Sequence, residues 1–449
     1  MDRKSGRLSW DGLRGRVQDA GAPPEAVDRL VELEGRRKFF GQVGRGGATL
    51  AMLGFFGAGT EAAMRGLFGR GLIPVAWAQE VTDDQARQAL QETGKEGITV
   101  HNERPLNAEF GAHELADEIT PINRHFIRNN GLIPQRAFQQ DLQGWALEID
   151  GEVNQPLKLT MEQIRNMPAR TIQASLECGG NGRSLFDPPV RGNQWRQGAI
   201  GCSEWTGVSL GDVLREAGLR DSAVYTGHYG EDPPLAGDEV PISRGVPIDK
   251  AMEEHTLLAY QMNGEDLPAV HGFPLRIVVP GWVGSCSQKW LTRIWVRDQE
   301  HDGPKMLGYS YRMPAYPVAP GEDVPEEDME VAKDWPIKSM ITGPAEGSEH
   351  AAGAVTVTGH AWAGEHEVER VEVSIDFGNT WTEAELRDPA NKYAWQQFEA
   401  EVELPGRGYY EIWARAFDDE GNGQPFRQPW NPRGYMGNVV HRVPVRVTA

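Results

Sequence analysis

The sequence predicts a mixed α+β domain followed by an all-β immunoglobulin-like sandwich. Up to about residue 320, short apolar strands and short helices alternate irregularly, which is typical of mixed α+β proteins. Beyond a proline- and acid-rich stretch at 315–328, apolar and polar residues alternate regularly, as expected for strands with one buried face. We therefore divide the chain into an N-terminal extension (1–78), an α+β domain (79–320) and a sandwich (321–449).

The elements of the α+β domain are predicted from local patterns. The segment 80–125 is polar and weakly periodic, and we expect it to wrap around the surface. A short helix is predicted over Leu159–Met167, because Thr160 followed three residues later by Gln163 is the pattern of a capping box. Apolar runs predict three strands, namely Trp145–Gly151, Leu275–Pro280 and Leu291–Val296.

The C-terminal region alternates between apolar runs and turn signals. The turns are marked by glycines, by Asp376-Phe-Gly-Asn379 and by Pro405-Gly406. Such spacing predicts an immunoglobulin-like sandwich of about 110 residues. The residues predicted to face its core are Val355 and Val357; Val371, Val373 and Ile375; Phe398 and Val402; and Tyr410, Ile412 and Ala414.

The N-terminal extension has the pattern of a twin-arginine export signal. Arg36-Arg37-Lys38-Phe39-Phe40 precedes a short apolar run at 48–59 and a small-x-small cleavage site at Ala76-Trp77-Ala78. The 12 residues of that run are too few to span a bilayer. We therefore expect a periplasmic protein without a membrane span in its mature form, with an uncleaved N-terminal anchor as the alternative.

The chain is acidic, with a formal net charge of −20. The extension carries 12 Lys and Arg against 8 Asp and Glu, so its removal would make the mature chain still more negative. A chain of this charge is not expected to bind nucleic acid or an anionic membrane. A basic electron-transfer protein would be attracted to it.

Cysteines are scarce. Only Cys178, Cys202 and Cys286 occur, too few for a disulfide framework or for a thiolate cage around zinc or an iron–sulfur cluster. No CxxCH motif is present, so we expect no covalent c-type haem. Three glycines surround the first thiol in Cys178-Gly-Gly-Asn-Gly-Arg183, which leaves the backbone open to a close approach. Cys178 is thus either a metal ligand, with most of the coordination supplied by a cofactor, or a buried thiol on a tight turn.

Several motifs follow one another between about residue 120 and the end of the chain. They are Glu177-Cys-Gly-Gly-Asn-Gly-Arg183, Trp195-Arg-Gln-Gly-Ala-Ile200, Met262-Asn-Gly264, His271-Gly-Phe-Pro-Leu-Arg276 with Val279-Pro-Gly281, and Lys289-Trp290. In this order and spacing the chain resembles the sulfite oxidase family of molybdenum enzymes. The resemblance implies molybdenum held as the molybdopterin cofactor (Moco) by the α+β domain, and a homodimer formed through the immunoglobulin-like domain.

The resemblance also implies how the cofactor is held. Cys178 would supply the single protein thiolate to molybdenum, a soft ligand that suits a metal whose oxidation state changes. Asp232 would accept hydrogen bonds from the pterin amino groups. The implied cofactor-binding residues are Phe126, Ile127, Arg128, Asn129, Asn130, Asp232, His271, Arg276, Ser287, Gln288 and Lys289.

A substrate pocket is implied by the same resemblance. Arg128, Arg183 and Arg433 would bind a small oxyanion, since guanidinium groups match such anions well. The alternative for each arginine is an ion pair with a nearby carboxylate. Trp195 and Tyr311 would lie beside the arginines, and Tyr309 is the alternative to Tyr311 because it lies only two residues away.

Two positions depart from the family pattern. Asn130 stands where animal-type sulfite oxidases have a histidine, and Ser285-Cys286 lacks the arginine that follows Val-Gly-Ala in those enzymes. Both changes affect groups near the implied pterin or pocket, so they bear on substrate choice rather than on molybdenum. Cys286 itself is predicted to be a buried, inert thiol rather than a second soft ligand.

The predicted activity is molybdenum-dependent oxidation of sulfite to sulfate by oxygen-atom transfer, with electrons passed to an external c-type cytochrome. Three alternatives stay open. The chain could be a sulfane dehydrogenase subunit that acts on carrier-bound sulfur, or an oxide or nitrate reductase of the same family. It could also be a non-catalytic exported binding module, which metal analysis would reveal.

Overall fold

The computed structural model describes residues 81–448. The predicted twin-arginine signal (1–78) lies outside this range and stays a prediction. Within residues 81–448, no helix is both long and apolar enough to cross a membrane.

The first described segment is folded rather than laid over the surface. Helix α1 (Asp84–Glu92) begins after Asp83, whose side chain accepts a hydrogen bond from the Ala86 N–H at 2.9 Å, and it buries Ala86 and Ala89 on one face. A small antiparallel sheet follows. The expectation that 80–125 wraps around the surface is therefore wrong. The strands of this sheet are β1 (Thr99–Glu103), β2 (Leu106–Glu109) and β3 (Ile127–Arg128).

Residues 135–297 contribute the larger sheets and most of the short helices. The helices are α2 (Gln135–Gln139), α3 (Met161–Arg165), α4 (Leu210–Ala217) and α5 (Ile248–Ala251). The strands are β4 (Leu147–Gly151), β5 (Leu157–Leu159), β6 (Ala169–Glu177), β7 (Ile200–Ser209), β8 (Tyr225–Gly230), β9 (Ser243–Pro247), β10 (Leu257–Met262), β11 (Glu265–Asp266), β12 (Arg276–Val278) and β13 (Leu291–Arg297).

These strands form two sheets that share one core. The first has the order β5-β4-β13-β8-β9, in which β4 and β13 are parallel, and the second has the order β11-β10-β7-β6, with β12 also paired to β10. Leu147 and Ile294 from the first sheet and Val208 and Leu258 from the second are fully buried in the common core. Each such side chain contributes about 1.5–3 kcal/mol on burial. Ile277 holds β12 in this core, and Leu176 holds β6 in a second buried cluster, so both strand ends at which the polar motifs begin are fixed by packing.

The predicted helix and three strands of this domain are present; the helix and two of the strands are shorter than predicted, and β13 is one residue longer. Thr160 caps α3, and the predicted capping box forms: the Gln163 N–H donates to Thr160 Oγ1 at 3.3 Å and the Thr160 N–H donates to Gln163 Oε1 at 2.9 Å. Strand β12 covers only three residues of the predicted run at 275–280, which follows Pro274 and ends at Pro280. Proline has no N–H to give to a neighbouring strand.

A connection and a sandwich complete the chain. Strands β14 (Arg312–Pro314) and β15 (Met329–Val331) pair on either side of the proline- and acid-rich stretch. The later strands are β16 (Lys338–Gly343), β17 (Glu349–His350), β18 (Gly353–Trp362), β19 (Val368–Ser374), β20 (Thr382–Glu383), β21 (Glu385–Leu386), β22 (Gln396–Leu404), β23 (Gly408–Asp418) and β24 (His441–Val447).

The strands from β16 onward form two sheets, β16-β18-β22-β21 and β17-β24-β23-β19-β20. Val357, Val371, Phe398 and Ile412, all predicted to face the core, are buried between them. The predicted fold class, a mixed α+β domain followed by an all-β sandwich, is confirmed. The boundaries at residues 78 and 320 stay predictions.

The sandwich packs against the α+β domain through apolar and polar contacts. Phe110 and Ile200 share a buried cluster with Met340 and Trp395 of the sandwich. The Trp395 indole N–H also donates to the Glu118 carbonyl oxygen at 2.7 Å. Two parts of the chain far apart in sequence thus meet beside the strand that leads to Cys178.

Candidate active site

Cys178 lies on a tight turn directly after β6. Its N–H donates to the Ala199 carbonyl at 2.9 Å, and its own carbonyl accepts from the Asn181 N–H at 2.7 Å. The Asn181 side chain closes the turn by accepting a hydrogen bond from the Ala199 N–H at 3.1 Å. A Cβ at Gly180 would lie 2.6 Å from the guanidinium of Arg183, so a side chain at this position would displace that guanidinium. The turn holds a largely buried thiol, 5% exposed, in a fixed orientation.

The thiol lines a cavity whose empty volume, with the adjoining open solvent included, is about 690 Å³. Polar side chains from both sheets and from the segment after β3 converge on it, whereas among residues 81–448 no three His, Cys, Asp or Glu side chains form a metal-binding cluster. Most of the predicted site residues line this cavity. They are Phe126, Arg128, Asn129, Asn130, Cys178, Asp232, His271, Arg276, Ser287, Gln288, Lys289 and Tyr311.

One end of the cavity is a buried cluster of cations and donors. Arg276 donates to the carbonyls of His271 and Ser287, both at 3.1 Å, and Lys289 Nζ donates to the Val270 carbonyl at 2.7 Å. Burial lowers the pKa of Arg276 to about 9. Burial, assisted by the charge of Arg276, also lowers the pKa of Lys289 well below its usual value. An anion bound nearby would stabilise the charged forms of both side chains.

Several buried atoms at this end have no hydrogen-bond partner. They are Arg276 Nε, His271 Nε2, Asn129 Nδ2 and His125 Nε2. Buried polar groups are normally satisfied, and each unsatisfied one costs about 1–3 kcal/mol. A phosphate would accept hydrogen bonds from the donors and balance the charge, so these residues fit the phosphate of a molybdopterin.

Asp232 contributes a carboxylate, an acceptor of hydrogen bonds, to the cavity. Its carboxylate accepts a hydrogen bond from Gln288 Nε2 at 3.4 Å, and a Cβ at Gly131 would lie 2.7 Å from its Oδ2. Burial raises the pKa of Asp232 to about 6. A carboxylate in this position can accept hydrogen bonds from amino groups, which fits the pterin ring.

The side of the cavity nearest Cys178 is formed by Arg128, Asn130 and Tyr311. Arg128 Nη2 donates to Asn130 Oδ1 at 2.9 Å and to the Tyr311 hydroxyl at 3.1 Å. Burial opposes the charge of Arg128, but Tyr311 and the adjacent Cys178 raise its pKa above the usual value. Lys305 adds a second cation, since its Nζ donates to Asn130 Oδ1 at 2.6 Å. These groups form a small, positively charged pocket beside the thiol.

The structure distinguishes Tyr311 from Tyr309, the two tyrosines that the sequence left as alternatives for the pocket. Tyr311 is 5% exposed and lines the cavity, whereas Tyr309 is 37% exposed and does not. Tyr311 and Lys305 both adopt left-handed backbone angles, with φ values of 55° and 69°. Non-glycine residues in this conformation are uncommon and tend to occur at functional sites.

Arg183 and Arg433 do not line the cavity but lie close behind it. Arg183 donates to the Arg433 carbonyl at 3.1 Å and lies over the Tyr435 ring at 5.1 Å, and that ring stacks on Tyr311 at 5.3 Å. Arg433 is half-buried, 5.6 Å from the Tyr309 ring. Within residues 81–448, neither these two guanidiniums nor that of Arg128 forms an ion pair with a carboxylate. Among the described residues, these three arginines therefore do not form the ion pairs with carboxylates that were the alternative.

Trp195 and Ile127 also lie outside the cavity lining. Trp195 is fully buried and packs with Phe126 and Ala199 against Cys178. Ile127 is fully buried in the core beside β2. Both side chains therefore pack behind the residues that line the cavity and do not face into it.

Sequence reasoning missed several residues around the cavity. His125 lines it, directly before the Phe126 motif, and burial lowers its pKa to about 3. Lys95 donates to the His125 carbonyl at 2.7 Å, and burial lowers the pKa of this lysine to about 7. The only sequence signal was the position of His125 next to a motif. Lys95, Lys305 and Tyr435 come from distant segments without such a signal.

Cys286 is buried away from the cavity. It is fully buried, its Sγ lies 4.0 Å from Arg244 Nη2, and burial raises its pKa. Its neighbours Ser285 and Ser287 line the cavity, whereas Cys286 does not. This placement agrees with the prediction of a buried thiol.

Comparisons with known proteins match both parts of the chain. A family model described as an oxidoreductase molybdopterin binding domain matches residues 133–305, and one described as a Mo-co oxidoreductase dimerisation domain matches residues 329–448. Mitochondrial sulfite oxidase of Mus musculus is 36% identical over 371 residues, which cover 78% of this chain and 66% of that protein. The chain thus spans slightly less than two thirds of the length of that relative.

Two further matches extend over most of the other protein. Sulfite oxidase of Arabidopsis thaliana is 31% identical over 376 residues, covering 78% of this chain and 94% of that protein. The crystal structure of the sulfane dehydrogenase SoxCD from Paracoccus pantotrophus matches with a TM-score of 0.65 and 28% identity, over 78% of this chain and 87% of that chain. The chain therefore belongs to the sulfite oxidase family of molybdopterin-dependent oxidoreductases.

Proposed function

We propose that the protein oxidises sulfite to sulfate at a molybdenum atom bound by Cys178. The observation that carries this proposal is the small cationic pocket of Arg128, Asn130 and Tyr311 beside the thiol, in which no described carboxylate balances Arg128. Lys305 lies outside the lining and adds a second cation through its hydrogen bond to Asn130. A small divalent oxyanion matches the size and charge of this pocket. Sulfite and water give sulfate, two protons and two electrons, so the reaction needs an electron acceptor.

The residues of the chain bind and orient the reacting groups. Arg276, Lys289 and His271 would hold the cofactor phosphate, and Asp232 the amino groups of the pterin. When bound, the molybdenum cofactor supplies the oxygen-atom transfer and takes up the two electrons. Arg128 would hold the oxyanion next to Cys178 and stabilise its charge throughout the reaction, with no reorganisation needed because Tyr311 and Asn130 already fix the guanidinium.

A separate c-type cytochrome is proposed as the electron acceptor. The chain carries a net charge of −20, and opposite charge accelerates the encounter with a basic partner. Export through the twin-arginine signal would place the enzyme in the periplasm. The match of residues 329–448 to a dimerisation domain supports a homodimer.

A second candidate is the oxidation of sulfane sulfur on a carrier. It is favoured by the similarity to SoxCD, at 28% identity, and by apolar surface near the pocket: Leu307 is 57% exposed and Tyr309 is 37% exposed, in the segment that ends at Tyr311. A carrier protein could dock on such residues. A haem protein that co-purifies stably, together with poor turnover of free sulfite, would favour this candidate.

The test of the proposal is a steady-state assay of purified, molybdenum-replete protein with sulfite and either cytochrome c or ferricyanide. We expect saturable sulfate formation, with two one-electron acceptors reduced per sulfite. Arg128→Met should lower the rate sharply, whereas Arg442→Gln, on the sandwich against Trp413, should not. Absence of sulfite turnover at full molybdenum occupancy contradicts the proposal, and reduction of nitrate or an S-oxide by a reduced dye would indicate a reductase instead.

A further inference from the structure

A fully buried ion pair joins the two domains next to Cys178. Lys338 Nζ, at the start of β16 in the sandwich, lies 2.6 Å from Glu177 Oε1, and both side chains are 1% exposed. The Trp362 indole N–H donates to Glu177 Oε2 at 2.7 Å. Both oxygens of the Glu177 carboxylate are therefore held by residues of the sandwich.

Glu177 is connected directly to the turn that presents the thiol. It is the last residue of β6, and Cys178 follows it. Glu177 Oε1 also accepts from Asn181 Nδ2 at 2.8 Å, while the Asn181 N–H closes the turn onto the Cys178 carbonyl. Any movement of the carboxylate thus reaches both ends of the turn, through the chain and through Asn181.

Stability alone does not explain this arrangement. A buried ion pair contributes little net stability, because desolvation offsets the attraction, and apolar residues of similar size often serve equally well. The contacts of the pair do fix its geometry. The Glu177 carboxylate accepts from three charged or N–H donors, and the Lys338 ammonium lies 5.3 and 5.8 Å from the Trp335 and Trp362 rings. Such partners of a metal ligand commonly fix its orientation.

We propose that Lys338 and Trp362 of the sandwich are positioning residues for the molybdenum site, acting through Glu177 and Asn181 on Cys178. The sandwich then has a role at the metal in addition to any role in dimerisation. This inference rests on ligation of molybdenum by Cys178 and is independent of which sulfur compound is oxidised.

The chain offers a matched control. Lys250 of the α+β domain is also a buried lysine, 4% exposed, that pairs with Glu253 at 2.7 Å and across the domain contact with Glu365. It is not among the residues that line the cavity. Lys250→Met and Lys338→Met therefore remove the same charge from the same domain contact, and only the second removes it beside the metal ligand.

The experiment compares purified holoenzymes by two readouts other than turnover: the EPR spectrum of the one-electron-reduced metal, and the rate at which molybdenum is lost on dialysis. For Lys338→Met we expect altered g-values and a rate of molybdenum loss raised by about 10-fold or more. Lys250→Met should match the wild type in both, even if its melting temperature falls. Equal effects of the two variants, or a wild-type spectrum and rate for Lys338→Met, overturn the proposal.

Two further variants keep the test decisive. Trp362→Phe retains the aromatic wall and removes only the N–H donor, so it should shift the spectrum in the same direction by less; if Lys338→Met fails to fold, an unchanged spectrum and rate for Trp362→Phe overturn the proposal. Glu177→Gln combined with Lys338→Met leaves no unpaired charge and should restore part of the molybdenum retention. Cys178→Ser serves as the reference, and an unchanged spectrum there overturns ligation by Cys178 and the inference with it, whatever the substrate.

Discussion

Of the three cysteines, Cys178 lines the cavity, whereas Cys202 and Cys286 do not. We predict that Cys178→Ser gives a folded protein that retains the pterin but has negligible turnover, because an alcohol is a poor replacement for a thiolate ligand. Sulfite turnover and molybdenum and pterin content are the measurements. The control is Cys202→Ala, a fully buried thiol on β7 outside the cavity lining, which should keep its activity. Full activity in Cys178→Ser would refute the assignment.

Arg433 tests whether a charge outside the cavity lining contributes to substrate binding. Its half-buried guanidinium lies beside Tyr309 without a carboxylate partner among residues 81–448, so its charge is available to an incoming anion. We predict that Arg433→Gln raises KM for sulfite about tenfold and changes kcat much less, as expected for a charge acting at a distance in a partly solvated site. Steady-state kinetics measure both constants. An unchanged KM would remove Arg433 from the pocket.

Asp232 makes the stability of the cofactor-free protein depend on pH. Burial raises its pKa from the ordinary value of 3.8 to about 6, so between about pH 4 and pH 6 the folded protein binds more protons than the unfolded one, and stability falls as pH rises through that window. We predict that Asp232→Asn removes a loss of roughly 3 kcal/mol between these limits. Urea unfolding of both proteins at pH 4 and pH 7 measures the difference, and parallel profiles would contradict the prediction.

At the scale of single residues, the sequence predicted what belongs to continuous motifs. Cys178, His271 and Lys289 could be placed in the cavity because each lies in a recognisable motif. Residues that reach the site from elsewhere could not, since Lys95 contacts a residue 30 positions away and Lys305 one 175 positions away. Such proximity is created by the packing of sheets and leaves no local pattern.

Among the elements, helix α3 provides a direct test of local sequence rules. Thr160 caps it and Gln163 completes the capping box. We predict that Thr160→Ala lowers the free energy of unfolding by about 1 kcal/mol, because one N–H at the helix start loses its acceptor. Urea unfolding is the measurement. Gln163→Ala should cost less in a protein that already carries Thr160→Ala, and strictly additive losses would contradict the reciprocal box.

Strand β2 was not predicted from the sequence, and the burial of its polar residues explains why. All four residues of β2 are buried, including the polar Asn107 and Glu109 that alternate with Leu106 and Ala108. Its polar members are satisfied internally: the Glu109 carboxylate accepts from the Arg196 and Gly198 N–H groups at 2.8 and 2.9 Å. A periodicity argument treats such residues as exposed, which is why 80–125 was predicted to lie on the surface.

For the whole molecule, the sharpest prediction concerns its location. Arg36 and Arg37 lie outside the described residues and rest on the sequence pattern alone. We predict that replacing both by lysine leaves active protein in the cytoplasm, because the export pathway depends on the arginine pair. Fractionation of cells followed by sulfite assay of each fraction measures this. Arg65→Lys, within the same extension, should leave export intact, and unchanged export of the Arg36 and Arg37 variant would refute the signal.

The cations at the closed end of the cavity link occupancy to the stability of the entire chain. Burial lowers the pKa of Arg276 and of Lys289, and Arg276 Nε and His271 Nε2 have no hydrogen-bond partner among the described residues, so a bound anion would stabilise the folded chain. By mass action, each tenfold excess of a ligand over its dissociation constant adds about 1.4 kcal/mol to the folded state. Molybdopterin would therefore act as a folding ligand as well as a cofactor, and a chain that has not received it would be the first to unfold or to be degraded.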